Sequence, residues 1–454
     1  MGKFVTKWVV WESHTHLMNS WLKPLVILCG LFCALSLGVL GWLTVQTTEV
    51  VDARDGSLSP NWPQKKKAAD SGGGSSTVMI AASNEMQVED LAKKLDELNR
   101  APGLVPSELL LTLDSTAALA AFLKRAAEAG FEVLYSDPRL LSARVRYGDA
   151  EAMARELRNN AEDYDNIGLN YLAWVPGLPD TERQTDTANA GGTQPFGTSG
   201  LEAINASGDR SNWGKGITAA VLDTGITDHS SLSHTQVNHY DLVKDGEALN
   251  GHGTAMASLI AGNDATNGGV APTTKLIDIR VADSKGKSNT ALVAQGILQA
   301  VDQGAAIINI SLGSTGDSVV LRNAVEYAQS RGVIIVAAAG NEQQTSLAYP
   351  AGYAGVISVA AIDANGTQAY FSNSGSSLTI SAPGVGIVSA YDDNRMVISS
   401  GTSQATALTT GVVSTMLSRG YAPQNIAQTL QDNALPISAP KEQVGAGLVQ
   451  VPRL

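Results

Sequence analysis

Apolar residues at helical spacing open the first patterned stretch of the chain: Val88, Leu91, Leu95 and Leu98 share one face of a predicted helix. The run ELLLTL (108–113) then reads as a strand, and Ser115 to Ala129 as a helix closed by Gly130. FEVLYS (131–136) and LLSARVRY (140–147) predict two strands separated by Asp137-Pro138. Asp149 is placed to cap a second helix with Met153 and Leu157 on one face, and IGLNYLAW (167–174) supplies a last strand.

The order β-α-β-β-α-β predicts a small α+β domain of the ferredoxin-like split type. Residues 175 to 196 break the pattern with Pro176, Pro179, Gly191, Gly192 and Pro195, and read as loop. Beyond them strands alternate with helices. ITAAVLD (217–223), KLIDIRV (275–281), AAIINISL (305–312), VIIVAAA (333–339) and VISVAAI (356–362) are the candidate strands, with helical segments such as 290–303 and 317–330 between them. Near-continuous apolar strands alternating with helices predict an α/β, doubly wound, mostly parallel sheet covered on both faces.

The N-terminal part carries a different signal. Leu25 to Val45 contains no charge and is long enough to cross a bilayer as a helix. Trp21 and Trp42 flank the run about 31 Å apart at helical rise. Lys3, Lys7 and Lys23 precede it, and Glu49, Asp52 and Asp55 follow. The positive-inside rule then predicts a single-pass protein of the cell membrane, with a cytoplasmic N-terminus and everything beyond the span outside the cytoplasm. The rival is secretion, either after cleavage of a signal peptide, which the length of the run disfavours, or after cleavage between the small and the large domain. Residues 46 to 76 are polar, broken by Pro60, Pro63 and SGGGSS, and read as linker. The expected organisation is a cytoplasmic segment (1–23), a membrane helix (24–45), a linker (46–83), the small domain (84–176), a second linker (177–195) and the large domain (196–454).

Charge narrows the function classes. The net charge is -12, shared equally by the two halves of the chain, and no basic footprint for nucleic acid exists beyond Lys65 to Lys67. The only cysteines, Cys29 and Cys33, lie in the apolar run, which excludes a disulfide framework or a cysteine zinc site elsewhere.

Four short segments carry chemistry, all at predicted strand ends or helix starts. AVLDTGI puts Asp223 at the end of a buried strand, and GHGTAMASLIAG puts His252 at the start of a small-residue helix. AAAGN ends a strand at Asn341, and SGTSQATALTTG puts Ser403 at the start of a long apolar helix. A serine hydroxyl needs an adjacent base to act as nucleophile, histidine supplies one, and a buried aspartate fixes the imidazole tautomer. The Ser403 N–H and the Asn341 amide are then candidate oxyanion donors. Asp-Thr-Gly alone also fits an aspartic protease, but no second such tripeptide occurs.

With these motifs, residues 196 to 454 resemble the catalytic domain of the subtilisin-like serine peptidases. The likeness extends to the chain order Asp, His, Ser and to GVAP (269–272), ISLG (310–313), YPA (349–351), FSNSG (371–375), APG (382–384) and GAGLVQV (445–451). The resemblance implies a serine endopeptidase with Asp223, His252 and Ser403 as triad, Asn341 in the oxyanion site and no catalytic cofactor. It also implies that Ser311, Leu312 and Gly313 pair with extended polypeptide substrate, and that Ala338, Gly340 and Ala348 line an open pocket for large apolar residues. The small domain is similar to the propeptides of this family, which implies an intramolecular inhibitor and folding aid, removed by cleavage within residues 175 to 196. Three positions depart from the family pattern: Ala255 stands for a histidine, Gln404 for a methionine and Ala407 for a proline. These departures admit a catalytically inert binding protein as the alternative. GNDATNGGVAP (262–272) is shorter than the calcium loop of many relatives, which speaks against structural calcium there, although Asp264 and Asn267 leave a carboxylate and an amide.

Overall fold

A computed structural model describes residues 87–175, 193–264 and 268–453. The expected cytoplasmic segment, membrane helix, first linker, most of the second linker and Asn267 lie outside these residues. Among the described residues no helix is long and apolar enough to cross a membrane.

The N-terminal part forms α1 (Val88–Leu98), β1 (Leu104–Leu113), α2 (Thr116–Ala129), β2 (Glu132–Asp137), β3 (Ser142–Arg146), α3 (Ala150–Asn159) and β4 (Tyr164–Trp174). Helix starts follow their caps. The Ser115 hydroxyl accepts the Ala118 N–H at 3.1 Å, and Asp149 accepts those of Glu151 and Ala152. Gly130 ends α2 in the left-handed region at φ 74°, where a side chain would be strained. The strands lie in the order β2-β3-β1-β4 and pair antiparallel. Alternation along β1 sends Leu109, Leu111 and Leu113 into a core with Phe122, Met153 and Leu157, while Leu110 packs with the large domain.

Glu108 shares the face of Leu110. Its buried carboxylate accepts from Arg144, Arg146 and the Asn170 amide, each at 2.8 Å. Asn170 Oδ1 in turn accepts the Thr290 hydroxyl and the Ala291 N–H at 3.2 Å each, at the first turn of a large-domain helix. Burial alone would raise the Glu108 pKa, but the two arginines and Asn170 outweigh it and hold it below the usual glutamate value. A carboxylate lowered on folding stabilises the fold above its unfolded pKa, and that stability is lost as pH falls through the folded one. Resistance to urea, followed by far-UV circular dichroism, is therefore expected to decline below about pH 4.5. Glu108→Gln should flatten that decline.

The large domain is built on β5 (Thr218–Asp223), β6 (Val237–Asp241), α4 (His252–Ala261), β7 (Lys275–Arg280), β8 (Lys287–Asn289), α5 (Thr290–Asp302), β9 (Ile307–Ile310), α6 (Val319–Ser330), β10 (Ile334–Ala338), β11 (Ile357–Ile362), β12 (Ile380–Pro383), β13 (Ile387–Ala390), β14 (Met396–Ser399) and α7 (Thr402–Ser418). Seven strands form one parallel sheet in the order β12-β11-β10-β9-β5-β7-β6. Every strand but β6 is buried on both faces, and the longer of these read as near-continuous apolar runs. Val221, Val336 and Val359 pack under α4 and α7 on one face; Leu222, Ile308 and Ile335 pack under α5 and α6 on the other. The short strand β8 leaves this sheet and joins the small one as its fifth strand, beside β4. His239 lies on β6, the edge strand of the large sheet.

Candidate active site

Asp223 ends β5 in the middle of the sheet and is fully buried. The following N–H, from Thr224, donates to its Oδ1 at 2.7 Å. The Thr224 hydroxyl then donates to the Asn250 carbonyl at 2.8 Å and accepts the Gly253 N–H at 3.1 Å, which ties the turn after β5 to the start of α4. A Cβ on Gly253 would stand 2.4 Å from the Gly225 carbonyl oxygen, so only glycine allows this approach.

His252 is the first residue of α4, with its N–H held by Asn250 Oδ1 at 3.0 Å. Its Nδ1 lies 2.8 and 3.0 Å from the two Asp223 carboxylate oxygens. An ionised carboxylate only accepts, so Nδ1 is the donor of this pair, and in the neutral ring that leaves the lone pair on Nε2. Nε2 is buried and has no hydrogen-bond partner among the described residues.

Ser403 is the second residue of α7, a helix buried along nearly its whole length. Three threonines of this helix return their hydroxyls to carbonyls one turn back, Thr406 to Thr402, Thr409 to Ala405 and Thr415 to Gly411. The Ser403 hydroxyl donates to the Ser311 carbonyl at 3.1 Å. Ser311 follows β9, the strand beside β5, so Ser403 and Asp223 sit at the carboxyl ends of adjacent strands. Behind them a polar chain runs from the Thr410 hydroxyl to Asn309 Oδ1 (2.9 Å) and from Asn309 Nδ2 to the Ser311 hydroxyl (3.0 Å).

Asn341 follows β10. Its Oδ1 accepts both the Thr402 N–H (3.0 Å) and the Thr402 hydroxyl (2.8 Å), which leaves Nδ2 as the outward donor. A Cβ built on Gly401 would lie 3.3 Å from Asn341 Nδ2 and 3.7 Å from the Ser403 nitrogen. Those two donors therefore border one small space at the positive end of α7, where negative charge is favoured.

The residues expected along the substrate path are placed as follows. Gly313 exchanges two backbone hydrogen bonds with Trp174 of the small domain, at 3.0 and 3.3 Å. On the other side Ala173 pairs with Ser288, and the Val175 N–H donates to the Gly286 carbonyl at 2.8 Å. The end of β4 thus runs as a middle strand between two segments of the large domain. Ser311 and Leu312 are buried. Ala348 abuts Gly313, since a Cβ there would fall 2.7 Å from that of Ala348. Ala338 and Gly340 lie just before Asn341, with Gly340 at φ 107° and its would-be Cβ crowded by Asn373 and Glu342.

Sequence reasoning missed Thr224, Asn250, Asn309 and Thr402, which hold the chemical groups, and the pairing of Trp174 with Gly313. Of the departures from the family pattern, Ala255 and Ala407 are buried among apolar residues. Gln404 donates from Nε2 to the Ser399 hydroxyl at 2.8 Å and has its Oε1 without a partner among the described residues. Among the described residues no group of three or more His, Cys, Asp or Glu side chains is placed to hold a metal.

Comparison with known proteins bears on the same region. Residues 214–447 match the model of the subtilase family. The thermostable alkaline protease of Halalkalibacterium halodurans is 40% identical over 273 residues, covering 58% of this chain and 73% of its own. Thermitase of Thermoactinomyces vulgaris is 37% identical over 232 residues, covering 50% of this chain and 83% of its own. Among solved structures, fervidolysin from Fervidobacterium pennivorans, a keratinolytic enzyme related to subtilisin, superimposes with a TM-score of 0.64 at 25% identity. That match covers 78% of this chain and 61% of fervidolysin.

Proposed function

Since the chain belongs to the subtilase family and is a serine endopeptidase, we propose that Asp223, His252 and Ser403 are its triad and that it is made as a self-processing zymogen. The observation that carries the reading is the Asp223–His252 pair, with Nε2 still a free base, one strand from a serine at a helix N-terminus. In this mechanism His252 takes the Ser403 proton as the hydroxyl attacks a peptide carbonyl, and Asp223 stabilises the imidazolium. Asn341 Nδ2 and the Ser403 N–H receive the oxyanion, His252 returns the proton to the leaving amine, and water hydrolyses the acyl-enzyme by the same route. No cofactor takes part.

The small domain is read as a ferredoxin-like propeptide that inhibits its own enzyme. Its strand order β2-β3-β1-β4, the passage of Trp174 between Gly313 and Lys287, and a fervidolysin match reaching beyond the large domain support that reading. Antiparallel pairing at Gly313 steps back toward Ser311 as the middle strand advances. A substrate N–H that reached the Ser311 carbonyl would displace the Ser403 hydroxyl toward His252 Nε2. In the zymogen the hydroxyl remains on Ser311.

Incubated at neutral pH, the full chain is expected to cut itself between residues 175 and 196, near the end of the described strand. N-terminal sequencing of the product reads the bond. The matured enzyme should prefer large apolar residues before the scissile bond, given the small side chains of Ala338, Gly340 and Ala348. A peptide library that returned acidic or basic residues there would sink the specificity, and a chain that stays intact would sink the zymogen. Asn341→Ala should lower kcat by about 100- to 1000-fold, the loss known for the equivalent amide of subtilisin, with little change in KM. Steady-state kinetics on the matured enzyme separate the two. Attachment through residues 25–45, with the catalytic domain outside the cytoplasm, belongs to the same proposal and rests on the apolar run and its flanking charges.

A further inference from the structure

On the face of the large sheet where β5 ends at Asp223, the neighbouring strands β7 and β6 carry ionisable side chains that the reaction does not use. The parallel registers set Asp223 of β5 beside Arg280 of β7 and Asp241 of β6. One pleat earlier they set Val221 beside Asp278 and His239. Residues two apart share a face, so Asp278 is the diagonal neighbour of Asp223, with Cα atoms roughly 8 Å apart from strand spacing and rise.

Asp278 is only 3% exposed. Its Oδ2 accepts the Ile226 N–H at 3.0 Å and lies 2.8 Å from His239 Nδ1, while its Oδ1 has no partner among the described residues. A buried carboxylate with so few donors costs stability, and an apolar residue would fill the position more cheaply. Ile226 ends the turn whose Thr224 donates to Asp223 and braces the backbone on either side of His252. The bond to Ile226 therefore holds the turn on which both catalytic side chains depend.

We propose that Asp278 is a positioning residue for the Asp223–His252 pair, fixing the Thr224–Ile226 turn on which both side chains depend, with His239 as the half-exposed group through which solvent pH reaches it. The inference rests on reading Asp223 and His252 as triad members. The Asp278 bond raises His239 above the ordinary imidazole range against its partial burial, and Asp228 adds to the rise. Burial pushes Asp278 up, the bonds from His239 and Ile226 oppose it, and the like charge of Asp223 adds to it. The remaining charges on this face are paired: Arg280 is taken by Asp241 at 3.1 Å and Asp245 at 2.7 Å. His252, on α4, completes the set.

The test uses the matured enzyme as wild type, Asp278→Asn, His239→Gln and the double variant. The readouts are the pH profile of kcat/KM and the histidine ring resonances followed by proton NMR. Asp278→Asn is expected to shift the acid limb, return His239 to the ordinary imidazole range and lower kcat more than it changes KM. His239→Gln is expected to displace the limb in the wild-type background and to leave it in place when Asp278 is already Asn. An acid limb unchanged in Asp278→Asn, or moved equally by His239→Gln in both backgrounds, overturns the proposal. Should Asp278→Asn fail to fold, His239→Gln alone decides, since its side chain is half exposed, and an unmoved limb overturns it. Failure of the triad reading looks different: the wild type itself would show neither turnover nor labelling of Ser403 by a fluorophosphonate.

Discussion

Ser403→Ala is expected to lose about a million-fold in kcat on unfolded polypeptide, the loss known for the corresponding serine of subtilisin, together with all fluorophosphonate labelling. The methyl group removes the only atom that His252 activates but leaves the surroundings in place. Thr402 still holds Asn341, and the Ser403 N–H still heads α7, so substrate affinity should change little. A second consequence follows inside the chain. If the cut between residues 175 and 196 is made by this serine, Ser403→Ala should accumulate as the uncut protein of 47.2 kDa. Gel electrophoresis of purified chain reads this directly. Cleavage at an unchanged rate in the variant would assign the cut to another protease.

Asp223→Asn should lower kcat by about ten-thousand-fold, the size of effect known for the aspartate of serine-protease triads. Asp223 makes its contribution through two short contacts to one nitrogen, Nδ1 of His252. An amide presents a donor on one side, which turns the imidazole toward the tautomer with Nδ1 bare and Nε2 protonated. That tautomer cannot accept the Ser403 proton. The fold should survive, because Asp223 Oδ1 also accepts the Thr224 N–H and an amide oxygen can do the same. Activity of this variant should recover partly at high pH, whereas Ser403→Ala should not. A pH series on both variants separates loss of the base from loss of the nucleophile.

Five strands of the large sheet, β5, β7, β9, β10 and β11, were legible as mostly apolar runs, and ITAAVLD, KLIDIRV and VISVAAI match strands within a residue or two. β12 is equally buried but was not legible, because its four residues, ISAP, are too short a run to stand out. β6 was not legible, because an edge strand with half-exposed side chains, VNHYD, has no apolar run to betray it. The hairpin β13–β14 escaped for the same reason, with Met396 and Ile398 facing solvent. At the candidate site, the motifs around Asp223, His252, Asn341 and Ser403 could be read because the chemistry constrains neighbouring residues. The groups that orient them could not. Asn309 and Thr410, or Thr402 and Asn341, meet only after distant strands and helices are assembled. Trp174 reads as the end of a strand, and nothing local says that its backbone also pairs with Gly313 and Lys287 of the large domain.

That β8 joins the small sheet rather than the large one bears on the order in which the molecule can form. A seven-stranded parallel sheet closes only through long crossovers, and such topologies collapse slowly with exposed apolar edges. The small domain needs only antiparallel neighbours, and it leaves the ribosome first. Its β4 edge, once formed, presents Leu172 to Trp174 as a template for Lys287 to Asn289. Asn289 is the residue that caps α5, its side chain accepting the Leu292 N–H at 3.0 Å. Pairing at this edge would thus start a helix that packs across β5 and β7, seeding the slow sheet from a surface that has already finished folding.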